Sequence, residues 1–114
     1  MLGGLFGRGG SAHRVLSPME AFERAGRGEI TLVDVREAGE WAQRRIKGAK
    51  HAPLSGFPAA LDALPKDKPI VFYCLSGARS GRAIDICKRL GMPCDMHMAG
   101  GIAAWMASGL PVEG

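Results

Sequence analysis

The sequence lacks both the long apolar runs of membrane proteins and the paired cysteines of secreted ones. No stretch approaches the ~18 to 20 apolar residues of a transmembrane helix, and residues 1–10 are too rich in glycine for the apolar part of a signal peptide. Cys74, Cys87 and Cys94 include no close-spaced pair, so neither a disulfide framework nor a zinc site is predicted. We therefore expect a cytoplasmic protein without stable membrane insertion.

Features of nucleic-acid-binding and metal-binding proteins are also missing. Lys and Arg exceed Asp and Glu by 15 to 11, a net charge of +4 that mildly favours anionic ligands. These basic residues match no nucleic-acid-binding motif and are not interleaved with aromatic residues. His13, His51 and His97 are scattered without metal-ligand spacing, and we interpret them as surface or hydrogen-bonded polar residues. No nucleic acid, metal or cofactor is expected.

The length of 114 residues suits one domain with one core. Residues 1–12 contain five glycines and no helical or strand period, so we predict a flexible N-terminal arm followed by a domain over residues 13–114. Leu2, Leu5 and Phe6 leave open a transient contact of this arm with a membrane or a partner. A loose tail is the preferred interpretation.

From residue 13 onward, short β-branched runs alternate with helical patterns, which is typical of an α/β domain with a mostly parallel sheet. Ser17, Pro18 and Glu20 form the signature of a helix N-terminus with a capping box. Trp41 and Trp105 are interpreted as core or helix-packing residues. Strands are predicted at 13–16, 30–33, 48–53, 70–73 and 92–98, and helices at 18–26, 37–44, 58–64, 80–91 and 102–108.

The candidate reactive residue is Cys74, which follows the most hydrophobic predicted strand directly. Ligands of open α/β sheets bind beyond the carboxyl ends of the strands. The turn that follows contains no proline, and Gly77 permits tight curvature, so the backbone N–H groups can surround an anion. These groups, the following helix dipole, Arg79 and Arg82 favour a thiolate with a pKa below the ordinary ~8.5. We predict nucleophilic attack on sulfur without a separate general base.

Several motifs in order make the chain resemble a single-domain rhodanese, from about Val15 to the end. They are Asp34-Val35-Arg36-Glu37 with Glu40-Trp41, Ile46-Lys47-Gly48-Ala49, Cys74-Leu75-Ser76-Gly77-Ala78-Arg79-Ser80, Gly100-Gly101-Ile102-Ala103-Ala104-Trp105 and Gly109-Leu110-Pro111-Val112. The resemblance implies a three-layer α/β/α fold with a central, mostly parallel sheet of about five strands.

The same resemblance implies a sulfurtransferase that moves a sulfane sulfur from thiosulfate or a persulfide donor to cyanide or a thiol, through a persulfide on Cys74. The matching substrate-binding loop residues are Leu75, Ser76, Gly77, Ala78, Arg79 and Ser80. Asp34 and Arg36 match supporting residues that fix loops through ion pairs. The chain departs from the family at Arg44-Arg45-Ile46, where the family often has Gly-His-Ile, and this leaves the acceptor open.

Other interpretations remain beside this one. Phosphatases with a related loop have five residues between the cysteine and the arginine, whereas four residues separate Cys74 from Arg79. We therefore do not expect phosphatase activity. A carrier module in a sulfur relay, fed by a partner protein, stays open. Cys87 and Cys94 are interpreted as core residues. The basic residues Arg44, Arg45, Lys47 and Lys50 are interpreted as a solvated face in preference to an anion-steering patch.

Overall fold

The computed structural model describes residues 13–114, so the predicted N-terminal arm lies outside the described residues. The strands are β1 (Arg14–Leu16), β2 (Thr31–Asp34), β3 (Arg45–Ile46), β4 (Lys50–His51), β5 (Ile70–Tyr73), β6 (Met96–Met98) and β7 (Val112–Glu113). The helices are α1 (Pro18–Gly26), α2 (Ala38–Gln43), α3 (Ala59–Asp62), α4 (Ala78–Arg89) and α5 (Gly101–Ala107), with a 3-10 turn at Leu54–Gly56.

Five strands form a central sheet in the order β1-β6-β5-β2-β4, and every pairing in it is parallel. The central strand β5 is buried along its whole length because both faces of the sheet are covered. Ile70 and Phe72 pack into one apolar cluster with residues of α3 and α4, and Val71 and Tyr73 pack into another with residues of α1 and α5. The predicted three-layer α/β/α architecture is confirmed.

The start of α1 follows the predicted capping box. Ser17 Oγ accepts a hydrogen bond from the Glu20 N–H at 3.1 Å, and the Ser17 N–H donates to Glu20 Oε1 at 2.9 Å. Two backbone N–H groups that have no partner inside the helix are thereby satisfied. The signal was readable from sequence because the residues that make it are three positions apart.

Several predicted boundaries were wrong by a few residues. Helix α4 begins at Ala78 instead of Ser80, because Gly77 with a φ of +123° completes the turn earlier. Strand β6 begins at Met96 instead of residue 92, since Met92 still caps α4 through a 2.9 Å bond to the Cys87 carbonyl. Asp34, predicted to follow its strand, is the last residue of β2. The small antiparallel pair β3-β7 was not predicted, because two-residue strands carry no periodic signal.

Trp41, interpreted as a core or helix-packing residue, belongs to neither apolar cluster of the core. Its ring is only half-buried and stacks on His51, with 4.7 Å between the ring centroids and 9° between the planes. The Arg45 guanidinium lies 5.2 Å from the centroid of the Trp41 ring. Trp105, in contrast, is 2% exposed and packs in the core as predicted.

Among residues 13–114, no helix combines the length and the apolar character that crossing a bilayer requires.

Candidate active site

Cys74 lies at the carboxyl end of the central strand β5, and its side chain is enclosed by the turn that follows. The residue is 1% exposed. Its Sγ accepts hydrogen bonds from the backbone N–H groups of Gly77 at 3.1 Å and Ser80 at 3.4 Å, and lies 3.7 Å from Ser80 Oγ. The backbone therefore curls around the sulfur, as the proline-free loop predicted.

Two opposing effects act on the pKa of Cys74. Burial raises it, because a thiolate loses hydration inside the protein. Hydrogen bonds from the backbone and side chain of Ser80, and from the backbone of Gly77 and Ser76, lower it and outweigh the burial. The net direction is downward, which enriches the nucleophilic thiolate at neutral pH.

The first turn of α5 supports the cysteine loop from the other side. The Ile102 N–H donates to the Cys74 carbonyl at 2.9 Å, and the Ala103 N–H donates to the Leu75 carbonyl at 3.1 Å. A Cβ added to Gly101 would lie 2.4 Å from both carbonyl oxygens, so only glycine fits there. This supporting role was missed, although two consecutive glycines before a predicted helix were a usable signal.

Arg79 engages a carboxylate instead of the sulfur. Its guanidinium binds both carboxylate oxygens of Glu40, at 2.7 and 3.0 Å. These bonds with Arg79 hold the pKa of Glu40 at about 2. Arg82, the other cation expected to favour the thiolate, is exposed to solvent. The ion pair joins α2 to the start of α4. Glu40 was named from the sequence only as part of a motif, and this pairing was not predicted.

Asp34 and Arg36 form a buried ion pair below the site. Arg36 Nε lies 3.1 Å from each Asp34 oxygen, and Arg36 Nη2 lies 2.9 Å from Asp34 Oδ2. Burial alone lowers the pKa of Arg36, but the bonds with Asp34 outweigh it and raise the pKa above its usual value. Arg36 Nη2 also donates to the Arg44 carbonyl, so the pair connects the end of β2 to the chain after α2. This arrangement suits the structural role expected for the pair.

The remaining loop residues form the rim of the site. Leu75, Ser76 and Ala78 are exposed. Leu75 borders an open pocket of about 320 Å³ whose wall also includes Glu40 and Arg44. The predicted set of four basic residues is divided by the fold. Arg44 alone lines this pocket; Arg45 lies over Trp41, and Lys47 and Lys50 line a separate groove.

A polar chain that sequence reasoning did not connect reaches the loop from β6. Ser80 Oγ is buried and lies 2.8 Å from His97 Nδ1. The His97 ring packs edge-on against His13, with 5.5 Å between centroids, and His13 Nε2 lies 2.9 Å from Asp85 Oδ1. Both histidines are hydrogen-bonded polar residues, as interpreted, yet His97 contacts a residue of the cysteine loop.

Cys87 and Cys94 are buried in the apolar cluster that also contains Cys74. A hydrogen bond between Cys87 and Cys94, together with burial, raises the pKa of Cys87. A protonated buried thiol is a poor nucleophile. The same hydrogen bond, assisted by Lys66, lowers the pKa of Cys94 to about 7. The interpretation of both as core residues therefore rests on their burial, since Cys87 is 0% and Cys94 8% exposed.

The family model of the rhodanese-like domain matches residues 17–108. A sulfurtransferase of Allochromatium vinosum is 38% identical over 84 residues, which are 74% of this chain and 78% of that protein. A probable adenylyltransferase/sulfurtransferase, MoeZ, of Mycobacterium tuberculosis is 38% identical over 79 residues, 68% of this chain and 20% of that protein. The crystal structure of a thiosulfate sulfurtransferase from Pseudomonas aeruginosa superimposes with a TM-score of 0.77 and 27% identity, over 89% of this chain and 19% of that one. This chain thus spans about a fifth of the length of the last two proteins.

Proposed function

The chain belongs to the rhodanese-like domain family and has a general role in sulfur transfer, and from this premise we propose that Cys74 carries the transferred sulfur as a persulfide. The proposed donor is thiosulfate or another persulfide, and the proposed acceptor is cyanide or a thiol. The observation that carries the proposal is the enclosure of Cys74 Sγ by the N–H groups of Gly77 and Ser80. A thiolate placed there is stabilised without a general base.

In the first half-reaction, the Cys74 thiolate attacks the outer sulfur of thiosulfate. A new sulfur–sulfur bond forms, the bond inside thiosulfate breaks, and sulfite leaves with the electron pair. The lowered pKa of Cys74 supplies the nucleophile. A persulfide has the same negative charge one atom further out, and we propose that the N–H groups of Gly77 and Ser76, which bond to Sγ in the free enzyme, stabilise it.

In the second half-reaction, the acceptor attacks the outer persulfide sulfur. The electron pair of the breaking bond returns to Cys74 Sγ, so the leaving group is the same thiolate that the loop stabilised at the start. Two half-reactions through one covalent intermediate give ping-pong kinetics. Cyanide leaves as thiocyanate, and a thiol leaves as a persulfide.

The charges in the wall of the pocket beside Leu75 favour a small anionic donor. Arg36 in its wall is paired with Asp34, and Glu40 is paired with Arg79. Within residues 13–114, Arg44 makes no ion pair; its guanidinium contacts Met106 Sδ at 3.6 Å. Its positive charge is therefore not neutralised by a carboxylate, and we propose Arg44 as a donor-binding residue in the wall of this pocket.

A second candidate function is that of a sulfur carrier fed by a partner protein. The name of the relative MoeZ joins an adenylyltransferase and a sulfurtransferase in one protein, and this chain matches about a fifth of it. Under this proposal, thiosulfate is only a substitute donor. The cysteine chemistry is the same, and the two functions differ in what delivers the sulfur.

The deciding experiment is an intact-mass measurement after incubation with thiosulfate. The wild type is compared with Cys74→Ser and with Cys94→Ala, which removes the thiol of another buried cysteine. We expect the mass of one added sulfur atom on the wild type and on Cys94→Ala, and none on Cys74→Ser. Cyanide should then remove the sulfur and release thiocyanate.

The outcomes separate the proposals. Sulfur on the wild type that cyanide discharges supports thiosulfate sulfurtransferase activity. Sulfur accepted only from a persulfidated protein donor supports the carrier. Added sulfur that persists in Cys74→Ser would overturn the assignment of Cys74.

A further inference from the structure

The buried Ser80 hydroxyl lies among three groups that compete for its single proton. Ser80 Oγ is 3.1 Å from the Gly77 carbonyl, 2.8 Å from His97 Nδ1 and 3.7 Å from Cys74 Sγ. The Ser80 side chain has no exposed surface, so water does not replace these partners. The state of each group is therefore tied to the state of the others.

A serine hydroxyl donates one proton and accepts two. When Cys74 is a thiol, its S–H can donate to Ser80 Oγ, and Ser80 can donate onward to an unprotonated His97 Nδ1. When Cys74 is a thiolate, it only accepts. If Ser80 then donates to the sulfur, the 2.8 Å contact with His97 is a hydrogen bond only when Nδ1 carries the proton. The Gly77 carbonyl competes for the Ser80 proton in both states.

The surroundings of His97 favour a neutral ring that can exist in either tautomer. Burial lowers the pKa of His97, and the adjacent His13 lowers it further. The titratable groups facing this ring are His13 before β1, Asp85 of α4 through its 2.9 Å contact with His13, and Cys74 through Ser80. A neutral imidazole always has one nitrogen that donates and one that accepts.

We infer that His97 is a positioning residue of the sulfur-transfer site, whose change of tautomer aims the Ser80 hydroxyl at the Cys74 sulfur when the thiolate forms. The inference rests on the proposed function, because it concerns the sulfur that the proposal makes reactive. It adds a histidine from β6 to the groups that act on the Cys74 sulfur.

Every proton in this step is accounted for. The thiol proton of Cys74 passes to Ser80 Oγ, and the original Ser80 proton passes to His97 Nδ1. His97 releases its Nε2 proton to solvent and stays neutral. One proton leaves the sulfur and one reaches water, and Ser80 ends as a donor to the thiolate. The same donor stabilises the thiolate when it leaves in the second half-reaction.

The test measures the thiolate of Cys74 directly, from its ultraviolet absorbance during a pH titration. Each protein is compared with the same protein carrying Cys74→Ser, which cancels every other titrating group. His97→Leu removes the Nδ1 donor that holds the Ser80 hydroxyl toward the sulfur, so Ser80 should donate to the Gly77 carbonyl instead. The thiolate then loses about one hydrogen bond, and the pKa of Cys74 should rise by about one unit. His97→Asn places an amide where Nδ1 lies, and should keep the pKa within about 0.3 units of wild type.

Two further measurements protect the test against structural damage. His51→Asn changes a histidine that contacts the Arg36 carbonyl and Trp41 instead of Ser80, and should leave the pKa of Cys74 unchanged. Nuclear magnetic resonance of the imidazole nitrogens in the unmutated protein should show His97 Nδ1 gaining a proton over the same pH range in which Cys74 loses one. This last measurement decides the question if His97→Leu does not fold.

An unchanged Cys74 pKa in folded His97→Leu, or an Nδ1 that keeps one protonation state throughout the titration of Cys74, would overturn the inference. The proposed function fails separately, if the wild type takes up no sulfur on Cys74 from any donor. Because the titration needs no sulfur donor, the two failures are distinguishable.

Discussion

Replacing Gly101 with alanine tests whether the first turn of α5 holds the cysteine loop in place. The new Cβ would lie 2.4 Å from the carbonyl oxygens of Cys74 and Leu75, and no side-chain movement relieves a clash with backbone. Either the loop or the helix must shift. The shift would stretch the two hydrogen bonds from Ile102 and Ala103 to those carbonyls.

The magnitude follows from comparison with Gly109→Ala. Both glycines have positive φ, +61° at Gly101 and +76° at Gly109, but a Cβ at Gly109 meets nothing within 4 Å. Gly109→Ala should therefore cost only the backbone strain, about 1 kcal/mol. Gly101→Ala adds two weakened hydrogen bonds worth about 1 kcal/mol each, for a loss of about 3 kcal/mol. In a domain of this size that is a fall in Tm of roughly 12 °C or more, against about 4 to 8 °C for the control.

Urea unfolding gives the two free energies, and sulfur loading from thiosulfate gives the activity. We expect Gly109→Ala to load sulfur at nearly the wild-type rate, and Gly101→Ala to load it at least about tenfold more slowly, since an ångström of displacement in a reacting group costs more than that. Equal stability losses and equal loading rates for the two variants would refute the supporting role of α5.

Three further predictions concern charge. The rate of sulfur loading should rise with pH and become level above the pKa of Cys74, which lies below the ordinary value of a cysteine thiol, because only the thiolate reacts; a rate still rising tenfold per unit above pH 9 would contradict this. Glu40→Gln should cost about 1 kcal/mol at pH 7 in urea unfolding, a modest figure because the pair with Arg79 is partly exposed. That difference should persist above the ordinary glutamate pKa of ~4.3 and vanish as the pH falls toward about 2, the pKa of Glu40 in the folded protein; a loss independent of pH would exclude the ion pair as its source. Asp34→Asn should cost about 3 kcal/mol, because it leaves the Arg36 charge buried with a neutral partner, and a loss below 1 kcal/mol would show that the pair is not needed.

Local patterns predicted much of this molecule correctly. The buried run of β5, the capping box at Ser17 and the proline-free turn after Cys74 each depend on residues within a few positions of one another. Hydrophobic periodicity and turn chemistry act over that range. The α/β class and the five expected strands followed from the alternation of these segments, and the resemblance implied the same sheet. Whether Cys74 carries a persulfide remains a prediction.

Charges were interpreted less well. Counting cations near the loop made Arg79 and Arg82 partners of the thiolate, but a long side chain binds whichever group the fold brings within reach. Arg79 meets Glu40, which is 39 positions earlier in the chain. The groups that lower the pKa of Cys74 are mainly N–H groups of the loop and the Ser80 hydroxyl.

By itself, the sequence determined that a cysteine follows the most hydrophobic strand and precedes a helix, since those signals are local. Only the tertiary structure decided which distant residues meet it. His97 reaches Ser80 because β6 lies next to β5 in the sheet, and Gly101 reaches the loop carbonyls because α5 begins just after β6. Strand order depends on how both faces of the sheet are covered at once. Because this packing involves the whole chain, no single stretch of residues predicts it.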